Sequence, residues 1–219
     1  LDGYIFKKDS PSCGIKQVRV YQHASSPSRK GSGIFAQAFQ TSFPLIPVED
    51  EGRLNDPGIR ENFIERIFAY HRWQNLLESG LTRRAIVAFH TQHKYFLMAH
   101  SRPHYHELGH IVASSKHYTT HQLAIAYGEK FMEGLKVKTT VRKHVNVLQH
   151  LVGHFKKQIS RGQRQELQEL ISDYHQGLSP LIAPLTLINH YVREHEIGYL
   201  ADQVYIQPHP KELILKNHV

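Results

Sequence analysis

The chain has 219 residues, 40% of them hydrophobic and 21% charged, with a mean hydropathy of −0.45. That composition fits one or two globular domains and excludes a disordered chain; the longest apolar run, residues 181–188, holds Pro184 and is too short to span a bilayer, which excludes a helical membrane protein. Lys+Arg 27 against Asp+Glu 19 leave a net charge of +8, with 18 histidines besides, and such a balance points to a polyanionic partner.

Residues 1–50 read as the tail of an α/β unit. Tyr4-Ile5-Phe6 and the alternating Gln17-Val18-Arg19-Val20-Tyr21 predict short strands, with turn-rich residues 9–14 between them. Residues 25–33 predict a loop, 34–39 a helix and 43–48 a last strand. Two or three strands do not make a stable sheet by themselves. Because the sequence also opens on strand-like residues at Leu1 rather than on Met, the expectation is a truncated α/β segment.

Helical periodicity then takes over. Asp56 before Pro57 is an N-cap with proline at the first helical position, and the helix that follows turns Phe63, Ile64, Ile67 and Phe68 inward and stops at Gly80. A second helix after Thr82 spaces Ile86, Phe89, His93, Phe96 and Leu97 at helical intervals; shorter ones follow Pro103 and Thr120. Residues 140–160 predict a fifth helix, with Val141, Val145, Leu148, Val152, Phe155 and Ile159 on its apolar side. Helices near 163–176, ended by Gly177, and near 180–196 complete the set, and residues 205–210 read as extended around Pro208 and Pro210. The fold class is α+β overall: a truncated α/β amino-terminal segment, residues 1–56, followed by an all-α domain, residues 57–219.

On the fifth helix Lys143, Val147, His150, His154, Lys157 and Arg161 fall at spacings of 4, 3, 4, 3 and 4, which places them on one stripe. Lys136, Lys138, Arg142, Lys156 and Arg164 flank it, and Glu133 is the one acid between Lys130 and Arg164. A solvated helix face ordinarily mixes signs, whereas clustered cations release counterions from phosphates. The stripe therefore reads as a nucleic-acid contact through Lys136, Lys138, Arg142, Lys143, His150, His154, Lys157 and Arg161.

Two further patterns carry chemistry. His90, His93 and His100 share a helix face, and His106-Glu107-Leu108-Gly109-His110 matches HExxH, in which two histidines one turn apart hold zinc and the glutamate activates water. A zinc peptidase using His106, Glu107 and His110 is thus one alternative, although a histidine-rich chain meets this pattern readily by chance, and Ala113 and Lys116 stand where a metzincin carries Gly and its third His. Glu129 or Glu133 would be the remaining choice of third ligand. Cys13 is the single cysteine, which excludes a disulfide framework and suits a reducing, cytoplasmic setting. It sits in Ser10-Pro11-Ser12-Cys13-Gly14, a tight turn preceded by Lys7 and Lys8, where cations favour the thiolate; the alternatives of a buried inert thiol and an exposed reactive one stay open on this ground.

Ser10-Pro11-Ser12-Cys13-Gly14, Gly33-Ile34-Phe35-Ala36 and the run from Pro47 to Pro57 resemble the C-terminal half of the thiouracil desulfidase (TudS) family. The stretch from Arg60 to Pro210 is similar to the YbgA-type domain of unknown function, the telling strings being Phe89-His90, His93-Lys94-Tyr95, Met98-Ala99-His100-Ser101, residues 144–150 and Pro184-Leu185-Thr186. The same domain order is that of the bacterial transfer-RNA 4-thiouridine desulfidases. The resemblance implies a four-iron, four-sulfur cluster held by three cysteines, the third matching Cys13, with Ser10 at the substrate pocket and thiolated transfer RNA held by the helical domain. The chain departs from that family in lacking the CxxC that supplies the other two ligands. A rival reading is an RNA-binding or adaptor module without catalysis.

Overall fold

A computed structural model of the chain describes residues 1–16, 18–20 and 28–210. They fall into two compact units, Leu1–Arg72 and Trp73–Val219.

In the first unit β1 (Tyr4–Phe6) runs parallel to β4 (Val48–Asp50), Tyr4 opposite Val48 and Phe6 opposite Asp50, and helix α1 (Ile34–Ser42) lies between them in the chain. Phe6, Ala36 and Phe39 form a small core, ringed by Tyr4, Cys13, Ile15, Ile46 and Val48. The strand expected over 43–48 begins only at Val48: Pro44 and Pro47 have no amide to give a ladder, and Tyr4 N–H instead donates to the Pro47 carbonyl at 2.9 Å. The loop expected over 25–33 also needs correction. Ser28–Gly31 is strand β3, paired antiparallel with β2 (Val18–Val20) around a bulge at Val18/Arg19. Cross-strand pairing overrides the weak strand propensity of Ser-Arg-Lys-Gly. Gln17, Tyr21 and residues 25–27 lie outside the described residues.

Helix α2 (Pro57–Glu78) starts as its sequence predicts, the Asp56 carboxylate accepting from Ile59 N–H at 2.9 Å. It gives out just before Gly80, whose φ of 106° suits a residue without a side chain. Phe63 is buried while Ile64, Ile67 and Phe68 are half-buried; Glu61, Asn62, Glu65 and Arg66 are buried with them. A simple amphipathic pattern thus misses what this helix encloses.

The second unit is helical: α3 (Arg83–Gln92), α4 (Lys94–His100), α5 (Arg102–Ala113), α6 (Thr120–Leu135), α7 (Val141–Gly153), α8 (Arg161–Gln176), α9 (Ile182–Glu194) and α10 (Gly198–Ala201). Side-chain caps begin four of them. Thr82 and Thr140 each accept an amide hydrogen bond, and Thr119 with Gln122 and Ser160 with Gln163 form reciprocal capping boxes. Gly177, at φ 76°, ends α8. Trp73 is 1% exposed, with its ring 5.2 Å from Phe89 and 5.3 Å from Tyr127. It lies so close to α6 that a Cβ on Gly128 would meet the indole nitrogen at 2.7 Å. Helix α7 packs against α4, α8 and α9, burying Val147, Leu148, Leu151 and Val152.

Two expected helices end early for a common reason: apolar spacing continues where the helix does not. The helix expected from Thr82 past Leu97 breaks at His93, whose Nδ1–H donates to the Phe89 carbonyl at 2.8 Å while its ring stacks on Phe89 at 3.8 Å. The helix expected over 140–160 ends at Gly153; turns through 154–159 still bury Phe155 and Ile159. Residues 205–210 are wound in turns rather than extended, with Ile206 N–H on Gln203 O and the buried Tyr205 hydroxyl 2.8 Å from His144 Nδ1. No helix of the described residues is long and apolar enough to cross a membrane.

Candidate functional site

Parallel strands present loops at their carboxyl ends, where α/β sheets commonly bind ligands. Here those loops are residues 7–14 after β1 and 51–53 after β4. In the first, Cys13 N–H donates to Ser10 Oγ at 3.2 Å, Ser10 and Ser12 hydroxyls lie 3.3 Å apart, and Ser12 Oγ is 3.3 Å from Cys13 Sγ. The turn closes through Gly14 N–H on Ser10 O at 2.8 Å. Helix α1 has no capping side chain; its first amides, Phe35 and Ala36 N–H, are satisfied by the Ser12 carbonyl at 2.9 and 3.2 Å. Gly33 makes that approach feasible, because a Cβ there would sit 2.2 Å from Ser12 O. The tight turn expected over residues 9–14 is present and locked to a helix end, with Ser10 and Cys13 both on it and Cys13 half-buried.

Beside it opens a cleft of about 350 Å³ lined by Lys8, Asp9, Ile15, Lys16, Glu49, Asp50 and Arg53. Asp50 Oδ1 accepts from Gly52 and Arg53 N–H at 2.8 and 3.3 Å, which fixes the turn. Glu49 is 3.4 Å from Arg53 Nε and 3.8 Å from the buried Arg66 Nη2. Burial pulls the Arg66 guanidinium below its ordinary value, opposed by Glu49 and aided by Arg53. Sequence reading passed over this charge-balanced cleft; the signal available was the acid–Gly–Arg run directly after a parallel strand.

The basic residues do not form the single stripe expected. Lys136, Lys138, Arg142 and Lys143 gather at the amino end of α7, and His150, His154, Lys157 and Arg161 at its other end, where the turns of 154–159 separate α7 from α8. Val147, expected on the stripe, is 0% exposed. Lys143 is committed inward, its ammonium donating to the His100 carbonyl at 2.6 Å and the Lys138 carbonyl at 2.8 Å; burial lowers its pKa. Arg164 likewise spends one donor on the Lys156 carbonyl at 2.7 Å. Lys136, Lys138, Arg142, His150, His154, Lys157 and Arg161 remain exposed.

The histidines expected on one face are held separately. His90 Nδ1 is 3.2 Å from the Tyr127 hydroxyl, His93 sits at the helix break, and His100 Nδ1–H donates to the Val137 carbonyl at 2.9 Å. His106, Glu107 and His110 do lie one turn apart on α5, exposed, but Glu107 is paired with Lys130 at 3.2 Å. Lys130 also holds Glu133 at 2.8 Å, a bond that raises the lysine and lowers the glutamate from their ordinary pKa values. Among the described residues no three His, Cys, Asp or Glu side chains converge as a metal site would need, so the zinc alternative gains no third ligand. The iron–sulfur cluster meets a similar test. Clusters are held by sets of cysteine thiolates, and this chain has Cys13 alone; its own residues do not make up the site.

A cluster of rings that sequence reading did not assemble joins distant segments of the helical unit. The Tyr95 hydroxyl is 2.7 Å from His154 Nε2, the His154 ring is 5.4 Å from Tyr199, and His90 stacks on Tyr105 at 5.7 Å with 4° between planes. Lys94 Nζ lies 5.1 Å from the centre of the Tyr95 ring. Burial, then Lys94, lowers the pKa of both His90 and His154, with His150 adding to the effect on His154. Burial, then Tyr199, raises that of Tyr95.

Residues 1–51 match the family described as 2-thiouracil desulfurase, and residues 94–210 match the one described as Protein of unknown function (DUF1722). No solved structure matches the chain. "Uncharacterized protein YbgA" of Escherichia coli (strain K12) is 35% identical over 153 residues, covering 69% of this chain and 90% of that protein. With residues 94–210 matched by that family's model and residues 1–51 similar to the 2-thiouracil desulfurase family, the chain belongs to the DUF1722 family.

Proposed function

We propose that residues 1–56 are the C-terminal part of a TudS-like desulfidase domain and that residues 57–219 hold a thiolated transfer RNA whose 4-thiouracil base reaches the cleft. The observation that carries this reading is a coincidence within one short segment: the stretch that matches a 2-thiouracil desulfurase also places Ser10 and Cys13 on one locked turn at the carboxyl end of a parallel pair. The exposed cations at both ends of α7 support the RNA half. The overall change is hydrolysis of a thiocarbonyl: water's oxygen enters the ring carbon as sulfur leaves as hydrogen sulfide, with no change of oxidation state. In this reading Ser10 orients the pyrimidine by hydrogen bonding, and Cys13 is the one thiolate the chain contributes toward a four-iron, four-sulfur cluster. One thiolate does not hold such a group, so what residues 1–219 supply by themselves is binding and orientation.

The test is a titration of the chain with thiolated and unthiolated transfer RNA at increasing salt, with iron assayed on the same sample. The expected result is affinity that falls steeply with salt, weakens in Lys138→Glu with Arg142→Glu, and favours the thiolated RNA unless Cys13 or Ser10 is replaced by Ala. Salt-independent binding would remove the RNA half. Equal affinity for both RNAs would remove the desulfidase half and leave the second reading, an RNA-binding module without catalysis, which the single thiolate favours.

A further inference from the structure

The ring cluster of the helical unit is assembled from the end of α3, the start of α4, the start of α5, the turn after α7, and α10. The core already has its aromatic packing around Trp73, Phe89, Tyr127 and Phe131; the second cluster is rooted in the buried Tyr95, 1% exposed, and reaches the surface at Tyr199, 39% exposed, and at the exposed His154. Its rings are held in place rather than loose, since the Tyr95 hydroxyl bonds His154 at 2.7 Å and the His154 ring packs on Tyr199 at 5.4 Å. Lys94, half-buried in its midst, has no carboxylate partner among the described residues. Oriented rings beside an unneutralised cation match an unpaired nucleotide, whose base has two π faces and whose phosphate carries the opposite charge.

We propose that the patch formed by Lys94, His154 and Tyr199 over the buried Tyr95, with His90 and Tyr105 at its border, binds an unpaired RNA nucleotide, the base stacking on Tyr199 and His154 and the phosphate meeting Lys94. This deepens the RNA reading above and rests on it. It adds a sequence-tolerant stacking site to cations that recognise backbone charge alone.

The test uses fluorescence anisotropy of the full chain with a labelled single-stranded oligouridylate and with an abasic strand of equal length and charge, at low and moderate salt. The strand with bases binds roughly 5- to 150-fold more tightly, the range that loss of base–aromatic stacking produces. Tyr199→Ala brings it down to the abasic level, and Tyr199→Phe, which keeps the ring, retains the difference; circular dichroism and melting show that the variants are folded. Equal salt-dependent affinity of the two strands for the unaltered protein overturns the stacking site and leaves the RNA reading standing, an outcome that needs no variant. A folded Tyr199→Ala protein that keeps the difference also overturns it. Binding of neither strand overturns the stacking site, while the RNA reading stands or falls by the transfer-RNA titration above.

Discussion

Gly33→Ala tests whether the Ser10–Gly14 turn is built around the missing side chain. At this position φ is −65° and ψ 143°, which any residue adopts; the requirement is space. The new methyl would stand 2.2 Å from Ser12 O, 2.3 Å from Ser12 C and 2.7 Å from Cys13 N, all backbone atoms that cannot rotate away. Either the turn or the helix end must shift, straining or breaking the bonds from Phe35 and Ala36 to Ser12 O and from Gly33 to Gly14 O. Overpacking of this kind, the strain on those three bonds included, costs about 1–3 kcal/mol, borne locally. Cys13 is the only thiol, so its reaction with a chromogenic disulfide reports on this turn alone, and urea unfolding reports on the rest. Thiol modification should accelerate in Gly33→Ala and not in Gly153→Ala, where an added Cβ meets nothing within 4 Å. Unchanged thiol reactivity and an unchanged urea midpoint in Gly33→Ala would refute the account of the turn.

Two other outcomes follow from the helical unit. Lys143→Met leaves the His100 and Lys138 carbonyls without their shared ammonium donor and should lower stability by about 1–3 kcal/mol, measured as a fall in urea midpoint. Arg142→Ala, which alters an exposed neighbour, should change stability by less than about 0.5 kcal/mol; equal effects of the two would show that Lys143 is not structural. The pH dependence has a definite sign. His90 and His154 titrate in the folded chain below the ordinary value of 6.5, so between the two values the unfolded chain binds more protons and stability rises with pH. Their contribution is complete above that ordinary value and is lost as pH falls through the lowered ones. Urea midpoints should drop between about pH 7.5 and pH 5.5, and His154→Gln should shrink the drop; an identical pH profile in that variant would count against the assignment.

What could be read from the sequence was mostly local. Asp56-Pro57, Gly80, Thr82 and Gly177 mark helix ends because caps, proline and glycine act on their own backbone neighbours, and these stand where expected. The break at His93 and the end of α7 at Gly153 were hidden because Phe96, Phe155 and Ile159 remain buried beyond them, keeping the apolar phase intact through non-helical backbone. The turn that joins Ser10 to Cys13 was legible from five consecutive residues, but its anchoring on Gly33 depends on a contact made across a gap in the chain. Lys143 shows the limit most clearly. A helical wheel placed it among surface cations, and only the position of the α4 carboxyl end reveals that its charge is turned inward. The ring cluster joins residues as far apart as Tyr95 and Tyr199 and had no sequence signal beyond the strings around His90 and Lys94.

The division of the basic residues between the two ends of α7 also sets how the protein is felt from a distance. A helix of 13 residues is about 20 Å long, close to twice the screening length of roughly 10 Å at 0.1 M salt. In dilute buffer the two groups merge into one broad positive field that draws in a polyanion and speeds encounter. Near physiological ionic strength each is screened from the other, and the RNA strand proposed above would meet two small footholds a couple of nanometres apart. Capture would then depend on whether that strand's own shape lets it touch both, so that salt would change the geometry of what is selected as well as the rate at which it arrives.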